Sequence, residues 1–198
     1  ASIAPAAKLA ADNLVEPILI EGPAESDPKD YWRLYYERRR AKGITEIEAR
    51  EIAQRPLYRA ALMLAAGDAD GFVGGAANTT AETLRAALHC VGPHPSVKTV
   101  SSSFVVAVHN RSYGHNGLIL FADCGIIIDP SAAEMAEIAI ASAATARALF
   151  RCDPAVAMLS FSTKGSAKHP FAEKVIRARR AVPCRTPPTK RAPWRCVR

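Results

Sequence analysis

Residues 67–87 read GDADGFVGGAANTTAETLRAA: a short apolar strand, a glycine turn, and a helix that opens on polar side chains. Gly74 and Gly75 permit a tight turn because neither carries a Cβ. The helix that follows directs its unpaired N–H groups and the positive end of its dipole at whatever lies above the strand. Thr79 and Glu82 have capping-box spacing, which starts the helix near Thr79 and leaves Asn78 and Thr80 at its mouth. Arg85 falls within a turn or two of that mouth. The stretch has the make-up of an anion site. A strand–glycine–helix joint is equally an ordinary α/β connection, and an exposed helix position is an ordinary place for an arginine such as Arg85.

Residues 157–170, AMLSFSTKGSAKHP, repeat the pattern of an apolar strand running into a polar loop. Ser162, Thr163, Lys164 and Ser166 could offer hydroxyls, backbone N–H groups and a cation to an anion, or Lys164 could simply be solvated. Two such loops at strand ends are what a cleft for a phosphorylated ligand needs.

Between and around these loops the chain alternates strands and helices. A helix is expected over residues 5–14, a strand over 17–20, and a helix over 31–41 with Trp32, Tyr35 and Tyr36 on its apolar side. Thr45 and Glu48 form a second capping box, opening a helix that runs to about Ala66 with a kink at Pro56. Residues 97–109 become a strand buried on both faces, and 118–122 a second strand reached by a hairpin. Asp129-Pro130-Ser131 starts a long helix whose seam is Met135, Ile138, Ser142 and Leu149, with Asp129 read as a cap and Asp123 as a turn residue. A strand over 155–161 and a helix over 171–179 complete an α/β class with a largely parallel sheet.

The 198 residues are 49% hydrophobic, ordinary for a globular chain. No apolar run reaches the roughly 18 residues of a membrane span; the longest weakly polar stretch, 136–150, is broken by Glu137, Ser142, Thr145 and Arg147. No membrane association and no secretory leader are expected. Five cysteines form no C-x-x-C pair, and an odd count argues against a disulfide framework, so reduced thiols in a cytoplasmic protein are expected and no metal site. None of the five histidines is assigned to catalysis. The net charge of +7 rests on eight Lys and Arg residues between Val175 and Arg198; without them residues 1–174 carry −1.

The segments DGFVGGAANTTAETLRAAL, VKTVSSSFVVAV, FADCGIIIDPSAAEMAEIAIASAATARALF and VAMLSFSTKGSAKHP resemble the phosphate acetyltransferase family, with the phosphate butyryltransferases as close relatives. The likeness runs from about Ala10 to Ile176. It implies an acyltransferase exchanging acetyl between acetyl-CoA and phosphate to give acetyl phosphate and CoA, with no cofactor beyond these substrates. It further implies a two-lobed fold of the isocitrate/isopropylmalate dehydrogenase type, a homodimer, and no nucleic-acid partner. Residues 1–96 would belong to a first α/β domain and 97–176 to a second. Arg85 matches the arginine of the family's T-L-R run, expected to hold phosphate or the acyl phosphate. Arg39 matches an arginine on the coenzyme A side, although Arg38, Arg39 and Arg40 are consecutive and a one-residue shift changes the choice. Asn78, Thr79, Thr80, Ser162, Thr163, Lys164 and Ser166 are the expected substrate-binding set. The family's Ser-Arg pair and Asp in an N-D-L-S-R-G type motif have no counterpart here, so little turnover is expected.

Residues 177–198, RARRAVPCRTPPTKRAPWRCVR, lack apolar periodicity and depart from the family pattern. The expectation is a disordered basic tail, with a truncated or frameshifted gene product as its origin. A basic arm binding nucleic-acid phosphates through its Lys and Arg residues is the alternative reading of the same composition.

Overall fold

A computed structural model describes residues 3–22, 29–75, 77–95, 97–162, 166–182 and 195–196. The chain divides into two compact units, Ala1–Pro93 and His94–Arg198.

The first unit is helical: α1 (Ile3–Ala11), α2 (Tyr31–Arg39) continued by a 3-10 turn at Arg40–Lys42, α3 (Glu46–Ala53), α4 (Pro56–Ala66) and α5 (Thr80–Cys90). Pro56 does not kink one long helix. It occupies the first turn of α4, where a missing N–H costs nothing, and so separates α3 from α4. Both expected capping boxes are present, Thr45 with Glu48 and Thr79 with Glu82. α2 packs on α3, α4 and α5. The core is built from Tyr31, Trp32, Tyr35, Ala49, Ala53, Ala61, Leu62, Ala86 and Cys90, large aromatics from α2 set against small residues from its neighbours. Trp32 donates to Asp30 at 3.0 Å, and the Arg50 guanidinium lies 3.5 Å from its ring centroid. The strands expected at 17–20 and before the glycine turn are not formed; residues 15–21 and 71–75 are irregular. Ile18, Leu19 and Val73 are exposed, and an apolar run without a partner edge has no ladder to join.

The second unit is mixed. β1 (Ser103–Ala107) and β2 (Leu118–Ala122) form an antiparallel hairpin with Phe104 opposite Phe121 and Val106 opposite Ile119. α6 (Ala132–Phe150) begins with a third capping box, Ser131 with Glu134, and packs on β2 and on α7 (Pro170–Ala181). The buried seam of α6 is Ala136, Ile138, Ala139, Ala143 and Ala146; of the expected seam only Ile138 is fully buried, and Leu149 is exposed. Small residues on this face permit close approach of the neighbouring elements. β3 keeps only Ala155–Val156 of the expected 155–161 strand, and pairs in parallel with β4 (Arg195–Cys196). Leu159 and Phe161 are exposed beyond it. β1 is not buried on both faces: Phe104 is 63% exposed and Val105 50%. α7 continues to Ala181, so residues 177–181 are helical. The described residues thus give a mixed α/β chain whose longer ladder is antiparallel.

Candidate active site

Two helices of the first unit each carry a pair at i, i+4 spacing: Tyr35 and Arg39 on α2, Arg85 and His89 on α5. Residues four apart share one helix face, and α2 packs against α5, so the two stripes meet. The Tyr35 hydroxyl lies 3.3 Å from Nδ1 of His89, with ring centroids 6.4 Å apart. Tyr58 of α4 meets Tyr35 edge to face at 5.8 Å and 85°.

Three arginines bear on this aromatic surface. Burial, then the charges of Arg39 and Arg85, hold His89 below the ordinary histidine range. Burial raises the Tyr58 phenol, opposed by Arg85, Arg55 and Arg39. Burial likewise raises Tyr35, opposed by the Arg39 charge. The consecutive arginines 38–40 separate cleanly. Arg38 donates to the Val91 carbonyl at 3.0 Å and Arg40 pairs with Glu37 at 3.2 Å. Arg39 is the one whose charge bears on both Tyr35 and His89, and among the described residues no carboxylate forms an ion pair with it. Arg85, on the partner helix, is exposed. A cationic surface is built here from elements distant in sequence, and it suits a polyanion.

The mouth of α5 is less open than its sequence implies. Thr79 Oγ1 accepts from the Glu82 N–H at 3.2 Å, while the Glu82 carboxylate accepts from Thr79 N at 2.8 Å and Oγ1 at 2.9 Å. The Thr79 hydroxyl is engaged, and a carboxylate already sits at the positive end of the helix dipole. Those bonds hold Glu82 below the ordinary carboxylate range. Asn78 and Thr80 stand exposed at the same end. Gly75, at φ 115°, takes a backbone conformation that a Cβ would strain, which fixes the approach to the helix.

In the second unit, Ser162 closes its own loop. Its Oγ accepts from Ala167 N at 3.0 Å and donates to Ala167 O at 3.4 Å, and its backbone N–H donates to Ser160 Oγ at 3.2 Å. Ser166 is exposed, and Thr163 and Lys164 lie outside the described residues. Asp123 is more than a turn residue: it accepts from the Ser102 hydroxyl and from the N–H groups of Ser102, Gly125, Ile126 and Ile127. Burial pushes its carboxyl up, but the Ser102 hydroxyl and the N–H groups of Ile127, Ser102 and Gly125 outweigh this and hold it far below the usual range. Asp129 caps no helix. Ser131 does, and Asp129 pairs with Lys174.

Sequence reasoning missed Tyr35, Tyr58, His89 and Arg55 as site neighbours. The i, i+4 spacing of Tyr35 with Arg39 and of Arg85 with His89 was the available signal. Among the described residues no group of His, Cys, Asp and Glu could hold a metal ion, and no helix is long and apolar enough to cross a membrane.

The class to which this arrangement belongs follows from comparison with known proteins. The family model for phosphate acetyl/butaryl transferase matches residues 4–189. The chain is 46% identical over 171 residues to the phosphate acetyltransferase of Acetivibrio thermocellus, covering 86% of this chain and 52% of that protein. It is 41% identical over 171 residues to the phosphate acetyltransferase of Treponema pallidum, covering 86% and 51%. Among solved structures, the EutD phosphotransacetylase of Staphylococcus aureus superposes with TM-score 0.69 at 35% identity, over 89% of this chain and 52% of that one. A phosphotransacetylase of Streptococcus pyogenes gives 0.68 at 33%, over 88% and 52%. The chain belongs to the phosphate acetyl/butaryl transferase family. It spans about half the length of these relatives.

Proposed function

We propose that this chain supplies the anion-holding part of a phosphate acetyltransferase, exchanging acetyl between acetyl-CoA and phosphate to give acetyl phosphate and CoA. The observation that carries this is the placement of Arg39 and Arg85, from different helices, around one surface formed by Tyr35, Tyr58 and His89. Acyl transfer to phosphate needs fixed positive charge, both to hold the dianion and to offset charge developing on the thioester oxygen. A guanidinium keeps its charge at any working pH and grips two oxygens at once. In this reading Arg39 and Arg85 bind phosphoryl groups, while Asn78, Thr79, Thr80, Ser162, Thr163, Lys164 and Ser166 are further substrate contacts. Thr79 would have to contribute through its backbone or by opening its cap. Phosphate attacks the thioester directly in a ternary complex, without a metal or prosthetic group.

The reading extends to a two-lobed, dehydrogenase-like architecture with largely parallel sheets, to domains at 1–96 and 97–176 followed by a basic tail, and to a cytoplasmic homodimer. Butyryl in place of acetyl is the alternative acyl group within the same family. A second reading of the same cationic surface is a phosphate-binding protein without turnover.

Thermal shift with acetyl phosphate and CoA, beside a thioester-formation assay, tests both readings. Ligand at 100 times Kd stabilises by about 2.7 kcal/mol. Removing one charge-assisted contact costs about 1.5–3 kcal/mol, so Arg39→Ala or Arg85→Ala should weaken binding by roughly 10- to 100-fold. Binding that is indifferent to both substitutions refutes the anion assignment. Binding without thioester formation selects the second reading.

A further inference from the structure

We propose that Arg38 is a positioning residue: by capping the end of α5 it fixes the register of α2 on that helix, and with it the span between Arg39 and Arg85. The inference rests on the anion-binding role proposed for those two arginines. Arg38 itself is assigned no contact with substrate.

Apolar packing alone sets this register poorly. α2 brings Tyr31, Trp32 and Tyr35 to the core, whereas α5 answers with Ala86 and Cys90, and α3 with Ala49 and Ala53. Burial is non-directional, and small side chains offer shallow relief along which a helix can slide. Hydrogen bonds have set lengths and directions, so they define position along the axis. The Tyr35 hydroxyl lies 3.3 Å from His89 Nδ1, and Arg38 Nη1 donates to the Val91 carbonyl at 3.0 Å. The second contact is the stronger, being shorter and made by a charged donor. Val91 is the C-cap of α5. Its carbonyl is one of those that a helix end leaves without a partner in the helix, and it stands at the negative end of the dipole. The chain turns away immediately afterwards: Gly92 takes φ +80°, and a Cβ built there would stand 3.8 Å from Arg38 Nη1, so the guanidinium lies against that turn. The two contacts are three residues apart on α2 and two apart at the end of α5. Together they hold both the slide and the rotation of one helix on the other.

Arg39 and Arg85 inherit that placement. Arg39 follows Tyr35 by four residues and Arg85 precedes His89 by four, so each shares a helix face with one member of the Tyr35–His89 contact, about one turn away. A slip of α2 along α5 therefore changes the span between the two guanidiniums by the length of the slip. Arg40, by contrast, pairs with Glu37 on its own helix at 3.2 Å.

Arg38→Met in the full chain keeps an apolar stem and removes the donor. The Gly92 amide nitrogen, whose peptide group includes the Val91 carbonyl, should shift, and the His89 ring resonances should move as the register relaxes. Affinity for CoA and acetyl phosphate, by calorimetry, should fall about fivefold, the worth of one ordinary hydrogen bond. Arg38→Lys, which restores a charged donor, should recover part of the loss. Arg40→Met removes the same charge without releasing α5 and should bind as the wild type does. Thr45→Ala opens the cap of α3 and should lower stability while leaving affinity in place, which separates position from stability. In an Arg39→Ala background Arg38→Met should cost nothing further, whereas a general attraction of anions to the Arg38 charge would persist there. Unmoved Gly92 and His89 resonances in Arg38→Met overturn the proposal. So does an equal loss of affinity with and without Arg39, or an equal loss in Arg40→Met. If Arg39→Ala and Arg85→Ala leave binding intact, the anion assignment fails, and the Gly92 and His89 resonances still decide whether Arg38 sets the register. Should Arg38→Met not fold, Arg38→Gln, too short to reach Val91, carries the same measurements.

Discussion

Asp123→Asn should be among the most damaging isosteric changes in the second unit. One carboxylate oxygen takes the Ser102 hydroxyl and the N–H groups of Ser102, at 2.9 Å, and Gly125, at 3.3 Å. The other takes those of Ile126 at 3.2 Å and Ile127 at 2.6 Å. An amide presents its single oxygen to one of these sets and an NH2 to the other. The cheaper orientation keeps the first set and sets donor against donor at Ile126 and Ile127. Two charge-assisted bonds at about 1.5–3 kcal/mol each, partly recovered by water at this half-buried position, give a loss of about 3 kcal/mol. For a unit of this size that lowers Tm by roughly 10–20 °C. Near-ultraviolet circular dichroism would follow the melt, and amide exchange at Ile126 and Ile127 would localise it. The pH dependence gives a second check. Because the folded-state pKa is depressed, Asp123 stabilises fully above its unfolded value near about 4, and that stability drains away as pH falls toward the folded value. The variant should lack this acid-limb slope, so its deficit shrinks below about pH 4. A melt within about 2 °C of wild type, with both amides as slow as before, would refute the account.

Thr79→Ala removes the hydroxyl side of the α5 capping box and should cost about 1 kcal/mol in chemical denaturation, with faster exchange at the Glu82 amide. Leu62→Ala empties a fully buried position beneath the α2 aromatics and should cost about 2–5 kcal/mol by the same assay. Cys90 is buried, its thiol pushed up to about 12 chiefly by burial; mass spectrometry after iodoacetamide should find it unmodified in the native chain and alkylated only with urea present. Gly114→Ala would bring a Cβ to 2.2 Å from the Leu118 carbonyl oxygen at a φ of +57°, so the hairpin should lose amide protection from Val105 to Leu120.

What could be foreseen in the sequence was local. The two expected capping boxes, at Thr45 and Thr79, each join residues three positions apart, and the chain satisfies them without help from elsewhere. The bounds of β2 were legible because its partner lies one hairpin away. Strands expected at 17–20, before Gly74 and over 157–161 failed for the opposite reason: apolarity alone does not supply a neighbouring edge. The seam of α6 was misread because large residues were taken to face inward, where alanines permit closer packing. At the site, Arg39 and Arg85 were named individually, but nothing local reveals that Tyr35, Tyr58 and His89 join them. Conversely, the Ser162 hydroxyl looked available and is consumed by Ala167, five residues on.

The β1–β2 ladder has a cost that bears on how the protein behaves in bulk. Its sequences, SFVVA and LILFA, contain neither charge nor proline, and among the described residues no third strand flanks either side. Natural sheets guard such borders with lysines, prolines or bulges. Here Phe104 and Phe121 lie side by side in water along an unguarded border. The protein should therefore adsorb to phenyl resins and brighten apolar dyes while still folded. Its ceiling of soluble expression would be set by this ribbon and whatever shields it, long before any demand of the chemistry is felt.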